Sequence, residues 1–140
     1  METRAQDYVL DEQVGYLLRL ASQRHATIFQ KHSARLTPTQ FSTLMRVSEH
    51  GEVSQNRLGR LAAMDVATIK GVVGRLKTKG LVTSQADLND RRRLIITLTP
   101  DGAAMIEDLK KTGAAITEET LAPLTEQERA TLVRLLDKIT

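Results

Sequence analysis

Cysteine and tryptophan are absent from this 140-residue chain, and its aromatics are limited to Tyr8, Tyr16, Phe29 and Phe41, 3% of the residues. Without cysteine there is no disulfide, thiolate metal site, cysteine nucleophile or thiol redox switch, which fits a reducing interior. So few aromatics leave little material for the base-stacking platforms of single-strand and RNA binders, so a nucleic-acid partner would be duplex DNA. No apolar run approaches the roughly 18 residues of a membrane span, and residues 1–11 are polar and mixed in charge. The expectation is a cytoplasmic protein, neither exported nor inserted in a membrane. A glycine-rich phosphate loop, a nucleophile elbow and a paired-carboxylate signature are also missing, which argues against an enzyme. His25, His32 and His50 are spread over two helices without tight ligand spacing, so each reads as structural, and neither metal nor cofactor is expected.

Hydrophobic residues make up 41% and charged residues 26%, enough for a buried core in one domain. The net charge of +3 is unevenly spread: +1 over residues 1–50, +5 over 51–100 and −3 over 101–140. A basic middle is either a solvated face or an interface for an anionic partner, and the placement of its residues decides between them.

Apolar residues Val14, Leu17, Leu18, Ala21, Ile28 and Phe29 recur at helical spacing and predict a long helix over about 12–31, with Asp11 as its cap. Thr37-Pro38 opens a second helix, over about 38–50, that ends at Gly51. Ser54 caps a short third helix carrying Leu58, Leu61 and Ala62. After a turn at Ala63-Met64, Asp65 caps a fourth that runs to Lys79 and stops at Gly80. Two helices joined by a tight turn make a helix-turn-helix. The period then switches to 2 at 81–84 and 94–98, which flank a polar tip at 87–93, and predicts a β-hairpin. Thr99-Pro100-Asp101 opens another helix, with Ile106, Leu109, Gly113 and Ile116 on one face, that breaks near Pro123. Thr125 and Glu128 form a capping box before the amphipathic Leu132, Val133, Leu136 and Ile139. The fold class is mainly α with a small β-hairpin wing.

At 100° per residue, Val66, Ile69, Val72, Val73 and Leu76 of the fourth helix lie within about 60° of one direction and are assigned to the core. The opposite face carries Ala67, Gly71, Gly74 and Thr78, edged by Thr68, Lys70 and Arg75. A duplex could approach this nearly bare surface closely. Two interior glycines, each costing about 0.5–1 kcal/mol against alanine, are poorly suited to a merely solvated face, although close packing on another helix would also use them. Arg91, Arg92 and Arg93 beside Asp87 and Asp90 suit a wing entering the minor groove; taken alone, such a run would be an ordinary solvated turn. With Ser54, Gln55 and Asn56 at the start of the third helix, these residues form the candidate DNA-binding set.

The sequence resembles the MarR family of bacterial transcriptional regulators from Leu36-Thr37-Pro38-Thr39-Gln40-Phe41 to about Leu109. The stretches that carry the resemblance are Leu58-Gly59-Arg60-Leu61, Asp65-Val66-Ala67-Thr68-Ile69, Arg75-Leu76 with Gly80-Leu81-Val82, and Asp90-Arg91-Arg92-Arg93-Leu94-Ile95 with Leu98-Thr99 and Gly102. The resemblance implies a winged helix-turn-helix lobe over about 36–99, with dimerisation helices over about 11–34 and 100–140. It also implies a pseudo-palindromic operator and release by a small aromatic or phenolic effector. Within the family the chain looks most like regulators of aromatic-acid catabolism, including nicotinate degradation.

A homodimer also follows from the residues, because the first and last two helices carry apolar stripes that a lone winged helix cannot cover. For an anionic aromatic effector, the polar groups available near the junction of dimer helices and DNA lobe are Arg19, Ser22, Gln23, His25, Arg46 and His50. Arg19 with His25 or His50 is the first choice of carboxylate partner, and Arg46 the substitute. The competing reading is a winged helix used only for protein contacts, which salt-sensitive binding to duplex DNA distinguishes.

Overall fold

The computed structural model describes residues 5–140. After 3-10 turns at Ala5–Asp7 and Leu10–Glu12 the elements are α1 (Val14–His32), α2 (Pro38–His50), β1 (Glu52–Ser54), α3 (Gln55–Leu61), α4 (Val66–Thr78), β2 (Val82–Ala86), β3 (Leu94–Leu98), α5 (Pro100–Thr120) and α6 (Glu126–Ile139). They divide into two compact units, one of Met1–His32 with Ala114–Thr140 and the other of Ser33–Gly113. Helix α5 supplies residues to both.

Local caps explain most of the boundaries. Thr37 accepts from the Gln40 N–H at 3.2 Å while Gln40 Oε1 accepts from the Thr37 N–H at 3.2 Å, a full capping box ahead of Pro38. Thr125 and Glu128 repeat the box on α6. The Thr125 N–H holds the Glu128 carboxyl below its ordinary pKa, with the Thr125 hydroxyl helping. Asp11 does not cap α1: it lies in the Leu10–Glu12 turn, and the extended Gln13 delays the helix to Val14.

In Ser33–Gly113 a continuous core joins Leu36, Leu44, Val47, Val53, Leu58, Ile69, Val72, Val73, Leu76, Leu81, Val82, Ile96, Ile106 and Leu109. The predicted hairpin is the larger part of a three-stranded antiparallel sheet ordered β1-β3-β2, in which Ile96 faces Val53 on one side and Ser84 on the other. Strand β1 was not predicted, because three residues between a helix end and a helix cap carry no readable alternation. Ser54 closes it and caps α3 by accepting from the Arg57 N–H at 3.3 Å. Between α3 and α4, Ala63 takes φ 56° and the Met64 N–H donates to the Gly59 carbonyl at 2.8 Å. Gly102 has a packing role: a Cβ there would lie 2.1 Å from the Leu81 carbonyl oxygen, so the start of α5 meets that backbone only without a side chain.

In the other unit, burial is confined to Ile28, Phe29 and Ile116 among the large apolar side chains described, and α6 buries none. Polar links join α1 to the end of α5 there. Arg24 donates to the carbonyls of Glu119, at 3.0 Å, and Thr120, adding a cationic donor at the end of α5, where Glu119 also accepts from the Ala122 N–H at 3.3 Å. His25 Nδ1 lies 2.9 Å from Thr120 Oγ1, while Lys31 and His32 both bind the Glu119 carboxylate, His32 at 2.7 Å.

Candidate nucleic-acid interface

Helix α4 is set by its cap and its buried face. Asp65 Oδ1 accepts from the Thr68 N–H at 2.7 Å, and this bond, reinforced by the Thr68 hydroxyl, holds the Asp65 carboxyl below its ordinary pKa. Ile69, Val72, Val73 and Leu76 are at most 3% exposed. Val66, assigned to the same face from the sequence, is 69% exposed and is not a core residue. It sits in the first turn, one turn before the packed stretch begins.

Away from the core, Ala67, Thr68, Lys70, Gly74, Arg75 and Thr78 are exposed and Gly71 is half-buried. A Cβ on Gly74 would meet nothing within 4 Å, and one on Gly71 would touch only an Arg75 guanidinium nitrogen, at 3.4 Å. These glycines therefore do not serve packing within the chain; they keep an outward surface low.

The wing tip is built by its aspartates. Asp87 Oδ1 accepts from the Asn89 N–H and Asp90 Oδ1 from the Arg92 N–H, both at 3.0 Å, while the Asp87 N–H donates to the Arg93 carbonyl at 2.8 Å. Arg93 is 3.9 Å from the Asp87 carboxylate. Arg91 and Arg92 are exposed and form no ion pair among the described residues. The tip also presents Leu88, 99% exposed, which the sequence reading passed over.

Ser54, Gln55 and Asn56 share a small recess, about 70 Å³, with Arg92, Arg93 and Leu94, so the start of α3 and the basic wing converge. The candidate effector residues are divided between the two units. Arg19, Ser22, Gln23 and His25 are exposed on α1, in the unit of Met1–His32 and Ala114–Thr140, and Arg46 and His50 are exposed on α2, in the other. Arg19 lies over the Tyr16 ring, 5.5 Å from its centre. Arg46 donates to the Leu61 carbonyl at 3.1 Å and pairs with Glu49 at 2.9 Å. The sequence reading missed Arg24 and Lys31. The seven-residue step from His25 to His32, and equally from Arg24 to Lys31, was the available sign that one face of α1 binds a common partner.

Residues 36–94 match the MarR family profile. The transcriptional repressor NicR of Pseudomonas putida is 42% identical over 134 residues, spanning 94% of this chain and 85% of its own. The chain belongs to the MarR family. MarR-family proteins are DNA-binding transcriptional regulators and not enzymes, and this chain is one of them. Among solved structures, Bordetella bronchiseptica BpsR, whose DNA binding is regulated by 6-hydroxynicotinic acid, superimposes with a TM-score of 0.89 at 40% identity, covering 94% of this chain and 96% of its own. A variant of MarR from E. coli complexed with operator DNA matches with a TM-score of 0.82 at 26% identity, over 90% and 92% of the two chains. No helix among the described residues is long and apolar enough to cross a membrane.

Proposed function

We propose that this MarR-family chain is a homodimeric repressor that α4 and the wing hold on a pseudo-palindromic duplex and that a small aromatic acid releases. The observation that carries the reading is the α4 surface, outward, low and edged by Lys70 and Arg75, in the same compact unit as the exposed arginines of the wing. Ala67, Thr68, Lys70, Gly71, Gly74 and Arg75 face the major groove. Arg91 and Arg92 reach the minor groove or its phosphates, and Ser54, Gln55, Asn56 and Arg93 hold the adjoining backbone. A second copy covers the apolar stripes of α1 and α6 and sets two α4 helices about one helical turn of DNA apart. Working on chromosomal DNA places the protein in the cytoplasm.

The effector class rests on the likeness to BpsR. Arg19 with His25 is the proposed carboxylate-binding pair, both on α1 with Ser22 and Gln23. Arg46 is the weaker choice because its guanidinium is already engaged.

Fluorescence anisotropy against duplexes selected from a random pool tests the DNA reading. Alanine at both Arg91 and Arg92 should weaken binding and lower the salt slope by about one unit per lost phosphate contact. Gly71→Leu should abolish binding with helix content and dimerisation intact, since a Cβ at this position meets only the flexible Arg75 end. Retained affinity in either variant overturns the corresponding assignment. Titrating 6-hydroxynicotinic acid into free protein and into the DNA complex tests release, because linkage requires tighter binding to the free form. Equal affinity for both forms removes effector-driven release by that ligand.

A further inference from the structure

Val66 interrupts the amphipathic pattern of α4, and its surroundings point to what it contacts. One exposed valine is ordinary on a protein surface. This one stands beside the exposed Ala67 and the methyl-bearing Thr68 in the first turn of α4, the part of a recognition helix that meets base edges. It also borders a cavity of about 340 Å³ lined in part by the apolar Met64 and Ile69.

The chemistry of the rest of the helix narrows the choice further. Helix α4 contains no Asn, Gln, Asp or Glu, so neither an amide paired to adenine nor a carboxylate accepting from cytosine can come from it. Its cations, Lys70, Arg75 and Lys77, all lie beyond the first turn. The Asp65 carboxylate ahead of it is held by the Thr68 N–H. What the first turn offers a base edge is therefore mainly methyl groups, and the base that presents a methyl group in the major groove is thymine.

Building on the proposed DNA-binding function, we infer that Val66 is a specificity-determining residue that reads the C5-methyl of a thymine in each operator half-site. Replacing dT by dU deletes that methyl and leaves pairing and charge unchanged. The experiment uses the full chain and duplexes enriched from a random pool by the unmodified protein. Each dT is replaced in turn, and affinity is read by anisotropy at fixed salt. One position per half-site should lose about fourfold on replacement, the effect of one buried methyl, and about fifteenfold when both half-sites are changed. Val66→Ala should bind the dT duplex more weakly, leave the salt slope unaltered and erase the dT/dU difference at that position. A scan in which no dU matters, or a Val66→Ala protein that keeps the wild-type dT/dU ratio, overturns the inference while the DNA-binding reading stands. A pool from which no duplex is enriched overturns both.

Discussion

In the unit Ser33–Gly113, Leu44, Leu58, Ile69, Leu76 and Ile96 are each no more than 1% exposed, whereas in Met1–His32 with Ala114–Thr140 the side chains of Val14, Val133 and Ile139 stand 57–66% exposed. The first unit contains its own hydrophobic core. Within one chain the second is tied by hydrogen bonds and ion pairs, with Arg24 on the end of α5 and Lys31 and His32 on Glu119. Such exposed contacts are individually weak. Apolar stripes left wet on both α1 and α6 are therefore what the proposed second copy would bury, and the difference between the units separates intrinsic stability from stability supplied by association.

The sharpest break of this comparison is Leu76→Ala, at a side chain with 0% exposure. It should remove about 2–5 kcal/mol, and urea melts should show the same loss at every protein concentration, because the affected core lies within one chain. A loss that disappears at high concentration would place that core under the control of dimerisation instead.

Val133→Ala with Ile139→Ala is the matching test of the other unit. Each truncation should weaken self-association by roughly tenfold, about 1–2 kcal/mol, with the Ser33–Gly113 fold unaffected. Sedimentation equilibrium measures the shift. Unchanged association would show that α6 does not carry the interface.

The same contrast explains how far the sequence could be read. Thr37-Pro38, Ser54, Asp65 and Thr125 with Glu128 were legible because a cap and the N–H it satisfies lie within three residues of each other. The α4 core face was legible from its period, apart from Val66, since period gives a direction around the axis and not how far packing extends along it. Strand β1 was hidden because its pairing with β3 joins Val53 to Ile96, a relation with no local signature. Asp11 shows the converse error, a good capping residue outcompeted by a 3-10 turn. Among the candidate interface residues the wing and α4 were nominated by composition and spacing, and the structure leaves them exposed apart from the half-buried Gly71. The Arg24 and Lys31 contacts were missed because their partners, Glu119 and Thr120, lie nearly a hundred positions away.

A smaller change sharpens the description of the self-contained unit. Ala63 adopts φ 56°, a conformation costing a residue with a Cβ about 1–2 kcal/mol, part of which glycine returns through its freer unfolded state. Ala63→Gly should therefore stabilise by about 0.5 kcal/mol, seen as a rise of about 1–2 °C in Tm. A fall in Tm would mean that the Ala63 methyl makes a contact worth more than the backbone strain it imposes.

The smallest effect belongs to the polar links of the other unit. Lys31, and after it His32, hold the Glu119 carboxyl below its ordinary pKa. A carboxylate whose folded pKa is depressed adds stability above its unfolded value, about 4.3, and that contribution is lost as the pH falls through the folded value. Glu119→Gln should therefore lower stability slightly at neutral pH and leave it unchanged in acid, where the native carboxyl is protonated as well. The two proteins should converge as melts are recorded from pH 7 down to pH 3, and added salt should narrow the gap at neutral pH because both partners face solvent. A constant difference across that range would show that Glu119 acts through its shape and hydrogen bonding and not through its charge. The link between α1 and the end of α5 would then rest on hydrogen bonds alone, those of Arg24 to the α5 carbonyls and of His25 to Thr120 included.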